Sequence, residues 1–273
     1  MKGFGFLKQR VITGVALVIL LIAILALGTP FVEIAVVLLA AIGVTELFNA
    51  TQLAGNKKLL YTAIAGTLCM VGIPCLGANL FTPVLYIYIV ALFVIYMSNM
   101  EKMELKEVAQ TFFLSAYVAF FFGHIIHVRN MENGHLLIWL VLIGAFVTDT
   151  AALFAGKYFG KHKLAPKLSP KKTIEGSIGG TLGSVLATLI FCLVCKLGFG
   201  LEVNYGWAVL TGFGAAIISQ VGDLSASCIK RQFGIKDYGK LMPGHGGVMD
   251  RFDSILFVAP FVYYMLLINP IFK

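Results

Sequence analysis

The sequence predicts an all-α integral membrane protein, a polytopic bundle of about nine transmembrane helices. Apolar residues make up 59% of its 273 residues, 22 of them Phe, and the mean hydropathy is +0.91. A water-soluble domain of this length cannot bury that much apolar surface. The apolar residues also fall into runs of about 20, the length that crosses a bilayer. These runs lie near 11–29, 31–49, 59–78, 80–98, 108–127, 135–155, 176–198, 206–228 and 251–270. A third observation is the sidedness of the charges. With the N-terminus in the cytoplasm, 18 of the 21 basic residues fall on cytoplasmic segments, and only Arg129, Lys196 and Lys273 fall outside. Cytoplasmic enrichment of Lys and Arg is the expected bias of a membrane protein.

The elements follow in order. Lys2, Lys8 and Arg10 precede the first run as they would in a secretory signal, but no small-residue cleavage site follows, so the run reads as a retained helix. The second run carries Glu33 at its outer edge, expected to be solvated, and Glu46 near its cytoplasmic end. Glu46 is expected to reach the interface or to pair with Lys57 or Lys58. Glu101, Glu104 and Glu107 neutralise Lys102 and Lys106 in the next cytoplasmic loop. His124 and His127 near the outer end of the fifth run are too few for a metal site and read as structural. Cys69, Cys75, Cys192, Cys195 and Cys228 lie in or beside apolar runs and read as small core hydrophobes, since no second pair or nearby His completes a metal set.

The chain reads as one membrane domain over 1–273, with an N-terminal helical half of about 1–130 and a catalytic C-terminal half of about 131–273. There is no soluble domain, long linker or internal repeat. The net charge of +8 sits mostly on the cytoplasmic face, where it meets anionic lipid headgroups or nucleotide phosphates; a nucleic-acid partner is the weaker reading.

Two cytoplasmic connections stand apart. The 157–176 segment combines six lysines with two prolines and two glycines, a shaped basic loop. The 230–250 segment contains His245-Gly246-Gly247, where the backbone can approach a ligand that side chains would block. Acids gather beside both loops. Asp149 and Asp223 stand toward the cytoplasmic ends of the sixth and eighth runs, and Asp250 and Asp253 open the ninth. Acids embedded in helices at the bilayer edge need partners. Four carboxylates beside two basic loops suit a divalent cation holding a polyphosphate.

The order Ser227, Lys230, Arg231, Lys236, Asp237, Gly239, Pro243, His245, Gly246, Gly247, Asp250, Arg251, Asp253 resembles the signature of the CDP-diacylglycerol synthases, or phosphatidate cytidylyltransferases. Met242 stands where that family usually has Leu, Ile or Phe, a swap that roughly conserves volume. Ser169-Pro-Lys-Lys-Thr-Ile-Glu175-Gly176 and Asp149-Thr150 with Gly156-x-x-Phe159-Gly160-Lys161 are similar to further segments of the family. The motifs cover about the C-terminal half.

The resemblance implies that CTP and phosphatidate give CDP-diacylglycerol and pyrophosphate, with Mg²⁺ required and a monovalent cation such as K⁺ as a second candidate ion. It implies a bacterial inner membrane, with the active site facing the cytoplasm and membrane lipids around it, and it leaves room for a homodimer. Asp223, Asp250, Lys230 and Arg231 are the candidate catalytic residues. Asp223 and Asp250 are the candidate metal ligands, with Asp149 and Asp253 as secondary ones. Ser169, Lys171, Lys172, Thr173, Ser227, Lys236, His245, Gly246, Gly247 and Arg251 are the candidate substrate contacts. A CTP-dependent lipid kinase would need similar equipment but would release CDP, and a secondary transporter would use the acids as a cation site. The gathering of acids toward one face, beside basic loops, favours the enzyme.

Overall fold

The computed structural model describes residues 2–76 and 80–272, with only the backbone of residues 2–10, 74 and 76. Lys273 lies outside the described residues, as do the side chains of Lys2, Lys8 and Arg10. Among the described residues ten α-helices follow one another: α1 (Lys2–Leu27), α2 (Thr29–Ala50), α3 (Lys57–Gly72), α4 (Phe81–Met97), α5 (Leu105–Arg129), α6 (Gly134–Leu142), α7 (Thr148–Phe159), α8 (Ile174–Phe199), α9 (Tyr205–Gln232) and α10 (Met249–Ile268). A π turn, Ile143–Val147, joins α6 to α7. Among the described residues, six spans are long and apolar enough to cross a membrane: α2, α5, the combined Gly134–Phe159, α8, α9 and α10. The other three expected spans fall on shorter segments: Val11–Leu27 of α1, Phe81–Met97 and the 16-residue α3. A helix of that last length rises about 24 Å, short of a hydrocarbon core of about 30 Å.

The chain forms two compact units, Met1–His127 with Phe233–Arg251, and Val128–Gln232 with Phe252–Lys273. In the first, α2 packs on α1 and α3, and α3 on α4. Val32, Val36, Ala40, Val44 and Leu47 repeat every three or four residues and are buried, while Phe31, Ile34 and Leu38 of the same helix are exposed. An exposed apolar stripe of this kind suits hydrocarbon rather than water. Asn56 caps α3, its Oδ1 accepting the Leu59 N–H at 3.4 Å. Tyr88 of α4 lies against Gly66, where a Cβ would fall 2.4 Å from its ring, and its hydroxyl bonds Ser115 of α5 at 2.5 Å.

In the second unit α7 and α8 make the closest helix pair. A Cβ on Gly179 would stand 2.3 Å from the Ala155 Cβ, one on Gly183 2.6 Å from that of Ala151, and one on Gly180 2.8 Å from the Thr148 carbonyl. Small residues at four-residue spacing bring two backbones together in a bilayer, where van der Waals contact replaces the hydrophobic drive. The opposite face of α8 exposes Ile178, Leu182, Leu186 and Ile190. Cys192 and Cys195 are buried in this unit as expected for core residues, whereas Cys69 and Cys228 are exposed.

The basic 157–176 loop is more ordered than a shaped coil. Strands β1 (Lys163–Ala165) and β2 (Ser169–Thr173) form an antiparallel hairpin with Lys163 opposite Thr173 and Ala165 opposite Ser169. Glu175 ties the hairpin down, its Oε2 accepting the Lys161 N–H at 3.0 Å and its Oε1 meeting His162 Nδ1 at 2.6 Å. Thr173 caps α8 through Oγ1, which accepts the Gly176 N–H at 3.1 Å.

Candidate active site

In the second unit a cleft of about 340 Å³ opens among α7, the hairpin, α8 and α9. Asp149, Lys157, Lys171, Lys172, Thr173 and Asp223 line it, with Ser177 and Gln220. They arrive from four elements, α7, β2, α8 and α9, so the site depends on tertiary packing. Asp149 stands in the first turn of α7, directly after the π turn; such bulges often mark functional sites. Lys171 and Lys172 ride on β2, which the Thr173 cap and Glu175 hold at the start of α8.

The Lys172 ammonium pairs with the Asp223 carboxylate, both side chains about one quarter exposed. The Asp149 Oδ2 accepts a hydrogen bond from Ser254 Oγ at 3.1 Å. Asp253, one residue earlier on α10, lies within the Coulombic field of Asp223, Asp149 and Lys230. Three carboxylates, Asp149, Asp223 and Asp253, therefore share this region with Lys157, Lys171 and Lys172 of the cleft and with Lys230. Among the described residues, no three acidic, His or Cys side chains stand close enough to cage a metal on their own.

Gln220 and Ser177 were missed by sequence reasoning. The Ser177 hydroxyl donates to Gln220 Oε1, and the Gln220 amide donates to Thr181 Oγ1 at 3.3 Å and the Ala216 carbonyl at 3.1 Å. This network ties α8 to α9 one turn before Asp223. A glutamine inside an apolar run was the available signal, since polar groups at membrane depth are costly unless satisfied. In the sequence Lys157 stands out only as one of the six lysines of the 157–176 segment.

The first unit holds the other half of the signature. Met242 and Gly246 close a tight turn, the Met242 N–H reaching the Gly246 carbonyl at 2.9 Å and the Gly246 N–H returning to Met242 at 3.1 Å. Gly246 has φ +87°, and a Cβ there would lie 2.7 Å from Asp250 Oδ2, so glycine is required twice over. Asp250 is only 6% exposed. Its Oδ2 accepts the Tyr238 N–H at 2.8 Å and the Gly247 N–H at 2.9 Å.

Among the described residues Glu46 forms no ion pair with Lys57 or Lys58. Its carboxylate accepts the Val248 N–H at 3.0 Å and the Met249 N–H at 2.9 Å, while Lys58 donates to Asn99 Oδ1 at 3.0 Å. His245 lies near Gly14, and its Nδ1 is buried with no hydrogen-bond partner among the described residues.

The fold thus gathers Asp149, Lys171, Lys172, Thr173 and Asp223 around one cleft, with Asp253 and Lys230 in the same electrostatic neighbourhood. Asp250, His245, Gly246, Gly247 and Lys236 belong to the first unit. Ser227 is half-buried one turn beyond Asp223, Ser169 begins β2, and Arg231, Lys236 and Arg251 are exposed.

Comparison with known proteins agrees with this chemistry. The model of the cytidylyltransferase family matches residues 8–269. A phosphatidate cytidylyltransferase of Bacillus subtilis (strain 168) is 32% identical over 277 residues, 95% of this chain and 97% of the relative. Proteins of the same name from Staphylococcus haemolyticus (strain JCSC1435) and Staphylococcus aureus (strain COL) are each 31% identical, covering 96% of this chain and 99% of the relative. A match of this extent, over apolar helices and signature loops alike, places the chain in the cytidylyltransferase family.

Proposed function

We propose that the protein transfers the cytidylyl group of CTP to phosphatidate, giving CDP-diacylglycerol and pyrophosphate. The observation that carries this reading is the cleft in which Asp149 and Asp223 stand beside Lys171 and Lys172. Similarity to phosphatidate cytidylyltransferases over nearly the whole chain supports the choice of substrates.

The phosphatidate phosphomonoester is largely ionised near neutral pH, so its oxygen can attack the α-phosphorus of CTP without a strong general base. A new P–O bond forms at that phosphorus, the α–β bridging P–O bond breaks, and the electron pair leaves on pyrophosphate. The protein must hold two mutually repelling phosphates and offset the charge that grows on the leaving group. Lys171 and Lys172 suit that role on one wall of the cleft, with Lys230, Arg231, Lys236 and Arg251 as further cations. Ser169, Thr173, Ser227, His245 and the Gly246–Gly247 backbone supply neutral contacts.

Mg²⁺, when bound, would neutralise phosphate oxygens; in the second unit Asp223, with Asp149 and Asp253, offers hard oxygen donors that suit it, and Asp250 in the first unit offers another of the same kind; K⁺ suits the same donor type. The Lys172–Asp223 pair occupies the ground state of the cleft. A polyphosphate competes for the lysine while the carboxylate becomes available to a cation, so the pair keeps both charges compensated in the absence of substrate. Asp250 commits Oδ2 to its own loop.

The acyl chains of phosphatidate stay in the bilayer and CTP comes from water, so the site belongs at the membrane surface. We place it on the cytoplasmic side of a bacterial inner membrane, in one membrane domain crossed about nine times. The test is turnover by purified protein in detergent with CTP, phosphatidate and Mg²⁺. Pyrophosphate should appear in step with lipid product, and both should fall at least a hundredfold in Asp223→Asn and in Asp250→Asn. Release of CDP, or full activity in both variants, would overturn the reading.

A further inference from the structure

A carboxylate in α2, far from every signature motif, is built into the signature loop. Glu46 is 7% exposed and gives its two oxygens to consecutive backbone N–H groups, Val248 through Oε1 and Met249 through Oε2. These are the groups at the N-terminus of α10, which have no partner within the helix and where the helix dipole favours an anion. The same carboxylate is wedged between two glycines. A Cβ on Gly239 would lie 2.4 Å from Glu46 Oε1, and one on Gly247 2.4 Å from Oε2. A side chain at either position would have to push the Glu46 carboxylate away from the amides it holds, so the two glycines leave it room.

The clamp has a consequence two residues on. Met249 is the residue before Asp250, and Gly247, beside the Glu46 carboxylate, donates to Asp250 Oδ2 at 2.9 Å. Glu46 and Asp250 therefore hold the same short backbone, Asp250 through Gly247 and Glu46 through Val248 and Met249. Met249 also seats its sulfur against Gly43, one helical turn before Glu46, where a Cβ would lie 2.9 Å from it. We propose that Glu46 is a positioning residue for the reaction: it fixes the 239–249 backbone and so aims the Asp250 carboxylate. Its partners are more than 200 residues away in sequence. Glu46 touches no reactant itself.

This role rests on the proposed cytidylyl transfer for its activity readout, but not for its structural one. Hydrogen–deuterium exchange on the full-length protein in detergent reads the clamp directly. In Glu46→Gln, peptides spanning 236–250 should exchange at least tenfold faster than in the wild type, while α8 peptides remain unchanged. Uniform acceleration across both regions, or none, overturns the proposal.

Kinetics supply the second arm. Gly247→Ala should lower kcat/KM at least a hundredfold because its Cβ displaces the carboxylate. Glu46→Asp withdraws the carboxylate by about one C–C bond, ~1.5 Å, and should cost about tenfold. The double variant Glu46→Asp/Gly247→Ala should then be at least tenfold more active than Gly247→Ala alone, since the shorter acid makes room for the methyl group. Residues in direct contact show such non-additivity, and independent ones do not. Purely multiplicative losses would overturn the proposal even if Glu46→Gln did not fold. If the wild type had no cytidylyl transfer at all, the exchange arm would still decide the clamp.

Discussion

At the scale of single residues, the proposed function rests on charges held where charges are expensive. The Lys172–Asp223 pair is partly exposed, so it contributes at most about 1 kcal/mol to stability; its value is in keeping both groups in the cleft. Lys172→Met should leave detergent melting within a few degrees of the wild type and raise the KM for CTP at least tenfold, measured by initial rates. Asp223→Asn should raise the Mg²⁺ concentration needed for half-maximal rate, read from a titration of any residual activity. Asp149, Asp223, Lys171 and Lys172 were legible in the sequence because a charge inside or beside an apolar run needs an explanation. Glu46 was seen but misread. Its obvious neighbours in sequence were Lys57 and Lys58, whereas its partners are backbone amides of Val248 and Met249, which no side-chain pattern announces.

At the scale of elements, the cleft exists because α7 and α8 approach closely and because β2 is pinned to the start of α8. Gly180→Val would drive a side chain into the Thr148 carbonyl, 2.8 Å from the Cβ position. It should lower the melting temperature by several degrees and reduce turnover with it. Thr173→Val removes the α8 cap and should cost about 1 kcal/mol, with kcat falling more than melting because Lys171 and Lys172 precede the cap on the same strand. The helices themselves were legible from length and hydropathy. The hairpin was not, since Ser169-Pro-Lys-Lys-Thr lacks the apolar alternation that marks a strand; its order comes from Glu175 accepting from Lys161 and His162. Nor was the π turn at Ile143–Val147, because hydropathy does not distinguish one helical register from another.

At the scale of the whole molecule, the skew of basic residues sets the orientation expected for the chain. A single cysteine at Asp237, in the signature loop and exposed, introduced in an otherwise cysteine-free chain, should react with a membrane-impermeant maleimide only from the cytoplasmic side. One at exposed Glu202 should react only from the other. The reverse pattern would put the loop where CTP is absent and sink the proposed site. Family membership follows from similarity along the chain, but which bond of CTP breaks is a matter for chemistry. The most direct measurement uses CTP radiolabelled either at the α-phosphorus or at the γ-phosphorus, incubated with purified protein, phosphatidate and Mg²⁺, followed by organic extraction. The expected result is α-label in the lipid phase and γ-label in aqueous pyrophosphate. Label from the γ-phosphorus in the lipid phase would make the protein a kinase and contradict cytidylyl transfer.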